Sequence, residues 1–238
     1  MVNLLHIETA TITCSTAIST DDKIVAYRES HVDKSHASLL TVFIEDLFAE
    51  TGLDPANLDA ISVSMGPGSY TGLRIGVSAA KGLAYGLKIP LIAVSTLEAM
   101  AWGFIRSLHF KNIESNKHVL VCPMIDARRM EVYTSLFDTR LKLVEGVSAK
   151  IITEDSFKEY LEKGQIYFFG TGALKCTEAI NHKNAVFIDE FHSSARFQGQ
   201  LAYKSFIENN FENIAYFEPY YLKDFVATIP RNKVLGSS

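Results

Sequence analysis

Three cysteines in 238 residues, Cys14, Cys122 and Cys176, are too few, too far apart and odd in number for a disulfide scaffold. No CxxC pair joins any two of them, so they are expected to be free, buried thiols in a reducing compartment. A basic surplus is missing as well. Lys and Arg number 23 against 27 Asp and Glu, a formal net charge of −4, so the chain lacks the electrostatic footprint of a protein that grips nucleic acid by itself. It also lacks any run approaching the ~18 apolar residues of a membrane helix, and it enters the strand-like Leu4-Leu5-His6-Ile7 without a basic and then apolar leader. A cytoplasmic protein with no membrane contact is expected. Apolar residues, by contrast, make up 47% of the chain, enough for a sizeable core, which excludes disorder and collagen-like repeats. The length fits one large domain or two compact ones.

The order of elements favours two. Leu4 to Glu8, Cys14 to Ser19 and Lys23 to Arg28 read as an antiparallel meander. After a cap at Ser35, Leu39, Leu40, Phe43, Ile44, Leu47 and Phe48 recur at helical spacing up to Gly52. Asp59 to Met65 is a buried strand, Gly72 to Leu87 a helix rich in small residues, and Leu91 to Val94 another buried strand. Ser95 or Thr96 caps a helix carrying Trp102.

Beyond the polar stretch Lys111 to Lys117 the order βββαβαβα begins again. Its strands are Val119 to Ile125, Met130 to Phe137, Leu141 to Val147, Ile166 to Phe169 and Ala185 to Ile188, and its helices are Thr153 to Leu161, about Leu174 to Ile180, and Ser194 to Asn209. The repeat predicts an α/β protein of two ribonuclease-H-like lobes, the actin, hexokinase and Hsp70 (ASKHA) plan, each a mixed sheet flanked by helices, with the second lobe atypical. The lobes are placed at 1–110 and 111–238, with Tyr216 to Phe225 crossing back to the first. In that plan nucleotide sits between the lobes.

Gly66-Pro67-Gly68-Ser69-Tyr70-Thr71-Gly72-Leu73-Arg74-Ile75-Gly76 joins a buried strand to a helix. Glycines there allow positive φ and close backbone approach, and the free N–H groups of a helix start can hold an anion. No Gly-Lys-Ser/Thr closes it, so it is not a Walker loop. The bland alternative is that the glycines only let a tight turn and a thin helix pack.

The segment GPGSYTGLRIGVSAAKGLAYGLKIPLIAVSTLEAMA closely resembles the bacterial TsaB (YeaZ) family, as do the opening IETAT, the DARRMEVY from Asp126 and the EPYYLKD from Glu218. The resemblance implies a cytoplasmic partner in making the threonylcarbamoyl modification of adenosine 37 in tRNAs that read ANN codons. It also implies a paralogue of the catalytic subunit TsaD. Where TsaD carries an HxxxH metal pair, Thr96 and Met100 stand here, and a hydroxyl and a thioether do not replace two imidazoles. No catalytic residue and no metal are expected.

The other candidates are weaker. His31 with His36 and His109 with His118 miss the i, i+4 spacing of a helical metal pair. Ser69, His36 and Asp126 could be assembled into a hydrolase triad only on paper, without a Gly-x-Ser-x-Gly elbow. Glu8 occupies the first phosphate turn, where TsaB-like chains commonly have Asp. Glu8, Thr9, Gly66, Gly68, Ser69, Gly72 and Asp126 are therefore taken as a vestigial nucleotide loop, with no resident cofactor and at most weak ATP or another nucleotide. Asp126, Arg128 and Arg129 either face the cleft or form a solvated turn with a local ion pair.

The two first-lobe helices suggest an interface. Several glycines inside one helix, each costing ~1 kcal/mol relative to Ala, point to a close neighbour. The resemblance implies that this helix pair docks on TsaD, and that two copies pair when TsaD is absent. The expected contact residues are Leu40, Phe43, Ile44, Leu47, Arg74, Gly76, Ala79, Ala80 and Leu83. The ATPase TsaE completes the implied assembly, and tRNA is met only indirectly, through the partner. A stand-alone nucleotide-binding ATPase or phosphotransferase is the rival reading.

Overall fold

Residues 4–8 are buried without alternation, the pattern of a strand paired on both edges and covered on both faces. The computed structural model, which describes residues 1–32, 35–107 and 118–223, places this strand at the centre of the first of two sheets. β1 (Asn3–Glu8), β2 (Cys14–Thr20) and β3 (Lys23–Ser30) form an antiparallel meander. β4 (Ala60–Gly66) and β5 (Leu91–Ser95) add in parallel, giving the order β3-β2-β1-β4-β5. The second half repeats the plan with β6 (Val119–Asp126), β7 (Glu131–Asp138), β8 (Leu143–Ile151), β9 (Gln165–Phe169) and β10 (Ala185–Phe187), ordered β10-β9-β6-β7-β8. Counted from its own first strand, each sheet has the same order. These are the two ribonuclease-H-like lobes, mixed sheets flanked by helices.

On the outer face of the first sheet lie α1 (His36–Thr51) and α2 (Tyr70–Leu87). Leu40, Ile44 and Leu47 of α1 and Val77, Ala80 and Ala84 of α2 pack on Leu5, Ile7, Ile18, Ile61 and Val63. Gly52 ends α1 in the left-handed region, φ +67, with its N–H on the Phe48 carbonyl at 2.9 Å, as helix ends prefer. The inner face is covered differently. α3 (Thr96–Arg106), capped by the Ser95 hydroxyl, lies between the two sheets. Its Ala99 packs with Leu4, Ile92 and Val94 of the first. Its Leu97, Met100, Ala101 and Phe104 pack with Val121, Ile125, Phe137 and Phe169 of the second. In return α5 (Gly199–Ile207), late in the chain, sets Ala202 on Leu4 and Ala60 of the first sheet. Each inner face thus borrows a helix whose sequence position belongs to the other half.

Cys14, Cys122 and Cys176 are free and buried, as read from their spacing. Burial pushes the Cys122 thiol up to about 12 and that of Cys14 to about 11.

Several second-half elements differ from expectation. The helix expected over 153–161 is reduced to α4 (Lys158–Leu161), because Thr153 N–H bonds the Ser156 hydroxyl at 2.9 Å and a local turn replaces the first helical turn. The weak helix around 174–180 is a 3-10 turn, Leu174–Cys176, and the last helix breaks into a 3-10 turn, Ala195–Phe197, followed by α5. β8 begins at Leu143 rather than Leu141. Leu141 has φ +64, and Asp138 Oδ1 accepts from Arg140 N–H at 2.8 Å and Lys142 N–H at 2.9 Å, holding a turn where a strand was expected. The division at 110/111, His109, Lys111 to Lys117 and Phe225 lie outside the described residues.

Residues 208–223 run back across the first sheet. Glu212 N–H bonds the Leu91 carbonyl at 2.8 Å, Tyr220 N–H the Met65 carbonyl at 2.7 Å, and Ile214 and Phe217 join the first core. Lys223 then pairs with Glu131 on the second sheet.

Candidate functional site

The two loops predicted to face phosphate meet at the ends of β1 and β4 and close on each other. Ser69 caps α2, its hydroxyl accepting Gly72 N–H at 3.3 Å, while Ser69 N–H donates to the Ala10 carbonyl at 2.7 Å. Thr9 donates its hydroxyl to the Gly72 carbonyl at 2.8 Å. A β-carbon at Gly68 would overlap the Ala10 carbonyl, one at Gly72 the Thr9 carbonyl, and one at Gly76 the Thr9 hydroxyl. The close approach that these glycines permit is therefore to the chain's own β1–β2 turn. Gly66, at φ +111, lies under the returning strap, where a β-carbon would come within 2.8 Å of the Tyr220 carbonyl.

Glu8 is fully buried beside these loops. Its carboxylate accepts Ala10 N–H at 2.7 Å and the Ser64 hydroxyl at 2.6 Å. Burial, partly offset by hydrogen bonds from Ser64, Ala10 and Ser193, pushes its pKa up to about 7. From Ser64 a buried polar chain runs through the first sheet. Gln198 donates to the Ile7 carbonyl at 2.8 Å and accepts from the Ser62 hydroxyl at 2.7 Å. Ser62 meets His6 Nδ1 at 2.6 Å, and Ser19 meets its Nε2 at 2.8 Å. Burial lowers His6 to about 3, so the ring is neutral. Beside the chain, Thr11 and Ser193 share a hydrogen bond of 2.8 Å, and Ala195 N–H bonds the Ser15 hydroxyl at 3.2 Å. The segment that leads into α5 is thereby latched to the first sheet.

None of His6, Ser62, Ser64, Ser193 and Gln198 was singled out from sequence. The available signal was the pair of serines, two apart, inside the otherwise apolar Ala60–Met65 run. They share one face, and that face had to meet polar partners.

Asp126 is exposed at the end of β6 and, among the described residues, shares no hydrogen bond with Glu8 or the glycine loop. It accepts Arg128 N–H at 2.8 Å and pairs with Lys175, not with either arginine. Residues 220–223 of the strap connect the glycine loop to this turn. Arg128 and Arg129 are exposed at φ +70 and +50, angles that cost a residue with a side chain on the order of 1–2 kcal/mol each. A cleft of about 930 Å³ lies elsewhere, along β3, lined among others by Tyr27, Glu29, His31, Trp102, Arg106 and Arg196. None of the expected nucleotide-loop residues lines it.

The expected partner residues divide. Leu40, Ile44, Leu47, Gly76 and Ala80 are buried inside the chain, committed to the first core, and cannot form a docking surface. Phe43, Ala79 and Leu83 are half-buried and Arg74 is exposed. The outward face of the helix pair holds Val42, 46% exposed, and Tyr85, 77% exposed, with open space above Gly82 and Gly86. Thr96 and Met100 are buried, Met100 in the aromatic core with Phe104 and Phe169. Among the described residues no three His, Cys, Asp or Glu side chains are grouped to hold a metal, and no helix is long and apolar enough to cross a membrane.

Residues 29–231 match the family described as TsaD, tRNA N6-adenosine threonylcarbamoyltransferase. The chain is 36% identical over 146 residues to the tRNA threonylcarbamoyladenosine biosynthesis protein TsaB of Bacillus subtilis, covering 61% of this chain and 59% of that one. The alignment with TsaB of Escherichia coli, also 36% identical, spans 56% of this chain and 53% of that protein. TsaB of Haemophilus influenzae is 26% identical across 94% of this chain and 95% of its own. The solved structure of YeaZ from Pseudomonas aeruginosa superposes with a TM-score of 0.80 at 24% identity, over 93% of this chain and all of the other, a likeness of fold.

Proposed function

The chain belongs to the TsaD, tRNA N6-adenosine threonylcarbamoyltransferase, family, with TsaB proteins of tRNA threonylcarbamoyladenosine biosynthesis among its homologues, and from that premise we propose that it is the family's non-catalytic scaffold. In this reading it works in the cytoplasm and docks on the catalytic paralogue TsaD. TsaD then transfers threonylcarbamoyl from its adenylate to adenosine 37 of ANN-decoding tRNAs, with AMP leaving, and supplies most of the contact with the tRNA. TsaE joins the assembly, and two copies of this chain pair when TsaD is absent.

The observation that carries this reading is the closure of residues 66–72 on Thr9 and Ala10. The Ser69 and Gly72 N–H groups are taken up by the chain itself, and the Glu8 carboxylate is sealed behind them under hydrogen bonds from Ser64 and Ala10. A phosphate would have to displace those partners and cross the Thr9–Gly72 contact. The residues do not fit a resident nucleotide, and no phosphoryl step is assigned to them. Binding of a paralogue of the same fold is favoured instead by the outward face of α1 and α2, where Val42, Tyr85 and the open ground over Gly82 and Gly86 admit another helix pair.

The test is reconstitution. With threonylcarbamoyl-adenylate supplied as donor, modification of tRNA is expected only when this chain is combined with TsaD and TsaE, with no ATP turnover by the chain alone. ATP turnover by the isolated chain would replace the scaffold with an ATPase or phosphotransferase.

A further inference from the structure

The sharp bend from β6 to β7 breaks a local rule. Two successive left-handed positions call for glycine or asparagine, yet Arg128 and Arg129 occupy them at φ +70 and +50. The bend is closed by main-chain bonds from Ala127 N–H to the Glu131 carbonyl at 3.1 Å and from Glu131 N–H to the Arg128 carbonyl at 3.2 Å, and it is braced by side chains. Lys175 donates to the carbonyls of Arg129 and Glu131, each at 2.7 Å, and pairs with Asp126. Asp126 in turn accepts Arg128 N–H, and Lys223 of the strap pairs with Glu131. Both acidic side chains of the bend are thus neutralised by lysines, while neither arginine has an ion pair among the described residues. Strain maintained by surrounding contacts, with bulky cations where small residues belong, marks a position kept for contact rather than for folding.

We propose that Arg128 and Arg129 form a phosphate-contacting point through which this chain touches the backbone of the RNA directly. Both arginines are exposed and neither lines the cleft along β3, so a small anion held there would be open to solvent. Two unpaired guanidiniums on a projecting turn suit consecutive phosphates of a polyanion, which they grip in bidentate fashion. This inference rests on the tRNA-modification reading and goes beyond it, because that reading gives most of the RNA contact to the partner. The net charge of −4 is compatible with one such point, since a local pair of arginines positions an RNA without supplying bulk affinity.

The test uses Arg128→Gly combined with Arg129→Gly, which relieves the left-handed positions and so does not threaten the fold, and Arg128→Lys combined with Arg129→Lys, which keeps the charge. Binding of a transcribed ANN-decoding tRNA to the assembly with TsaD is followed across a salt series. The glycine variant should bind several-fold more weakly, with a salt dependence of log K shallower by about 1–2, while the lysine variant keeps the salt slope and loses only the part of the affinity that the bidentate contacts supply. Unchanged affinity and slope in the glycine variant overturn the proposal. ATP that displaces the tRNA far below the concentration at which equivalent salt does so makes this a mononucleotide site and also overturns it. Co-purification with TsaD is scored separately. If it fails, the scaffold reading falls, and the same titration on the chain alone decides the role of the turn, with equal affinity and salt slope for the wild-type and glycine chains overturning it.

Discussion

Gln198 donates its side-chain amide to the main-chain carbonyl of Ile7 at 2.8 Å, across 191 positions of sequence. The same side chain accepts from Ser62 and donates to Ser64 at 3.3 Å. One residue in the approach to α5 therefore satisfies the centre of the first sheet, and the late helix is fixed there by polar contacts as well as by Ala202.

Replacing Gln198 with Leu should be strongly destabilising. It leaves the Ile7 carbonyl and the Ser62 hydroxyl buried with fewer partners, at about 1–3 kcal/mol for each unsatisfied group. A fall in the urea midpoint at constant m-value would register it, and an unchanged midpoint would show that the latch contributes nothing.

Stability should depend on pH through two buried groups of opposite sign. Glu8 titrates near 7 in the fold, above its ordinary value near 4.5, so its contribution is complete below pH 4.5 and is lost as pH rises to about 7. The loss is on the order of 3 kcal/mol. His6 titrates near 3, below its usual 6.5, so its contribution is present above 6.5 and is lost as pH falls toward 3. Between pH 4.5 and 6.5 the two slopes oppose each other, so thermal unfolding of Glu8→Gln should show stability rising with pH through a window in which the wild type is nearly flat. If the two curves run parallel through that window, Glu8 is not the group responsible.

The glycines of α2 should separate into two classes. Gly76→Ala places a methyl against the Thr9 hydroxyl and should lower Tm, whereas Gly82→Ala meets nothing within 4 Å and should raise stability by up to ~1 kcal/mol through helix propensity. Gly82→Arg should fold normally and fail to co-purify with TsaD. An arginine there that leaves association intact would move the interface off this face.

Local pattern made most of the architecture legible. Apolar runs, the switch from period two to period 3.6 and the caps at Ser95 and Gly52 sufficed for ten strands and the first-lobe helices. They sufficed less well where a side chain competed with the backbone. At Asp138 and Thr153 a short polar group diverts the chain into a turn, and the apolar spacing beyond it carries no sign of this. The candidate site was legible in part. The strand–glycine loop–helix at residues 66–72 is where it was placed, but Leu40, Ile44, Leu47, Gly76 and Ala80 were assigned to a partner although they serve the chain's own core. Helical spacing shows which residues share a face; it does not show what that face meets.

The sequence by itself determined the repeated strand order and the family, because these rest on residues near one another along the chain, and the free thiols, because the three cysteines are odd in number and far apart. Only the tertiary structure decided that α3 and α5 each cover the opposite sheet, that Gly68, Gly72 and Gly76 make room for Thr9 and Ala10, that Glu8 is sealed beneath Ser64 and Ser193, and that Gln198 satisfies Ile7. The physical reason is the same in each case. A buried polar atom or an absent β-carbon is explained by whatever lies within about 3 Å of it, and here those neighbours come from residues 56 to 191 positions away.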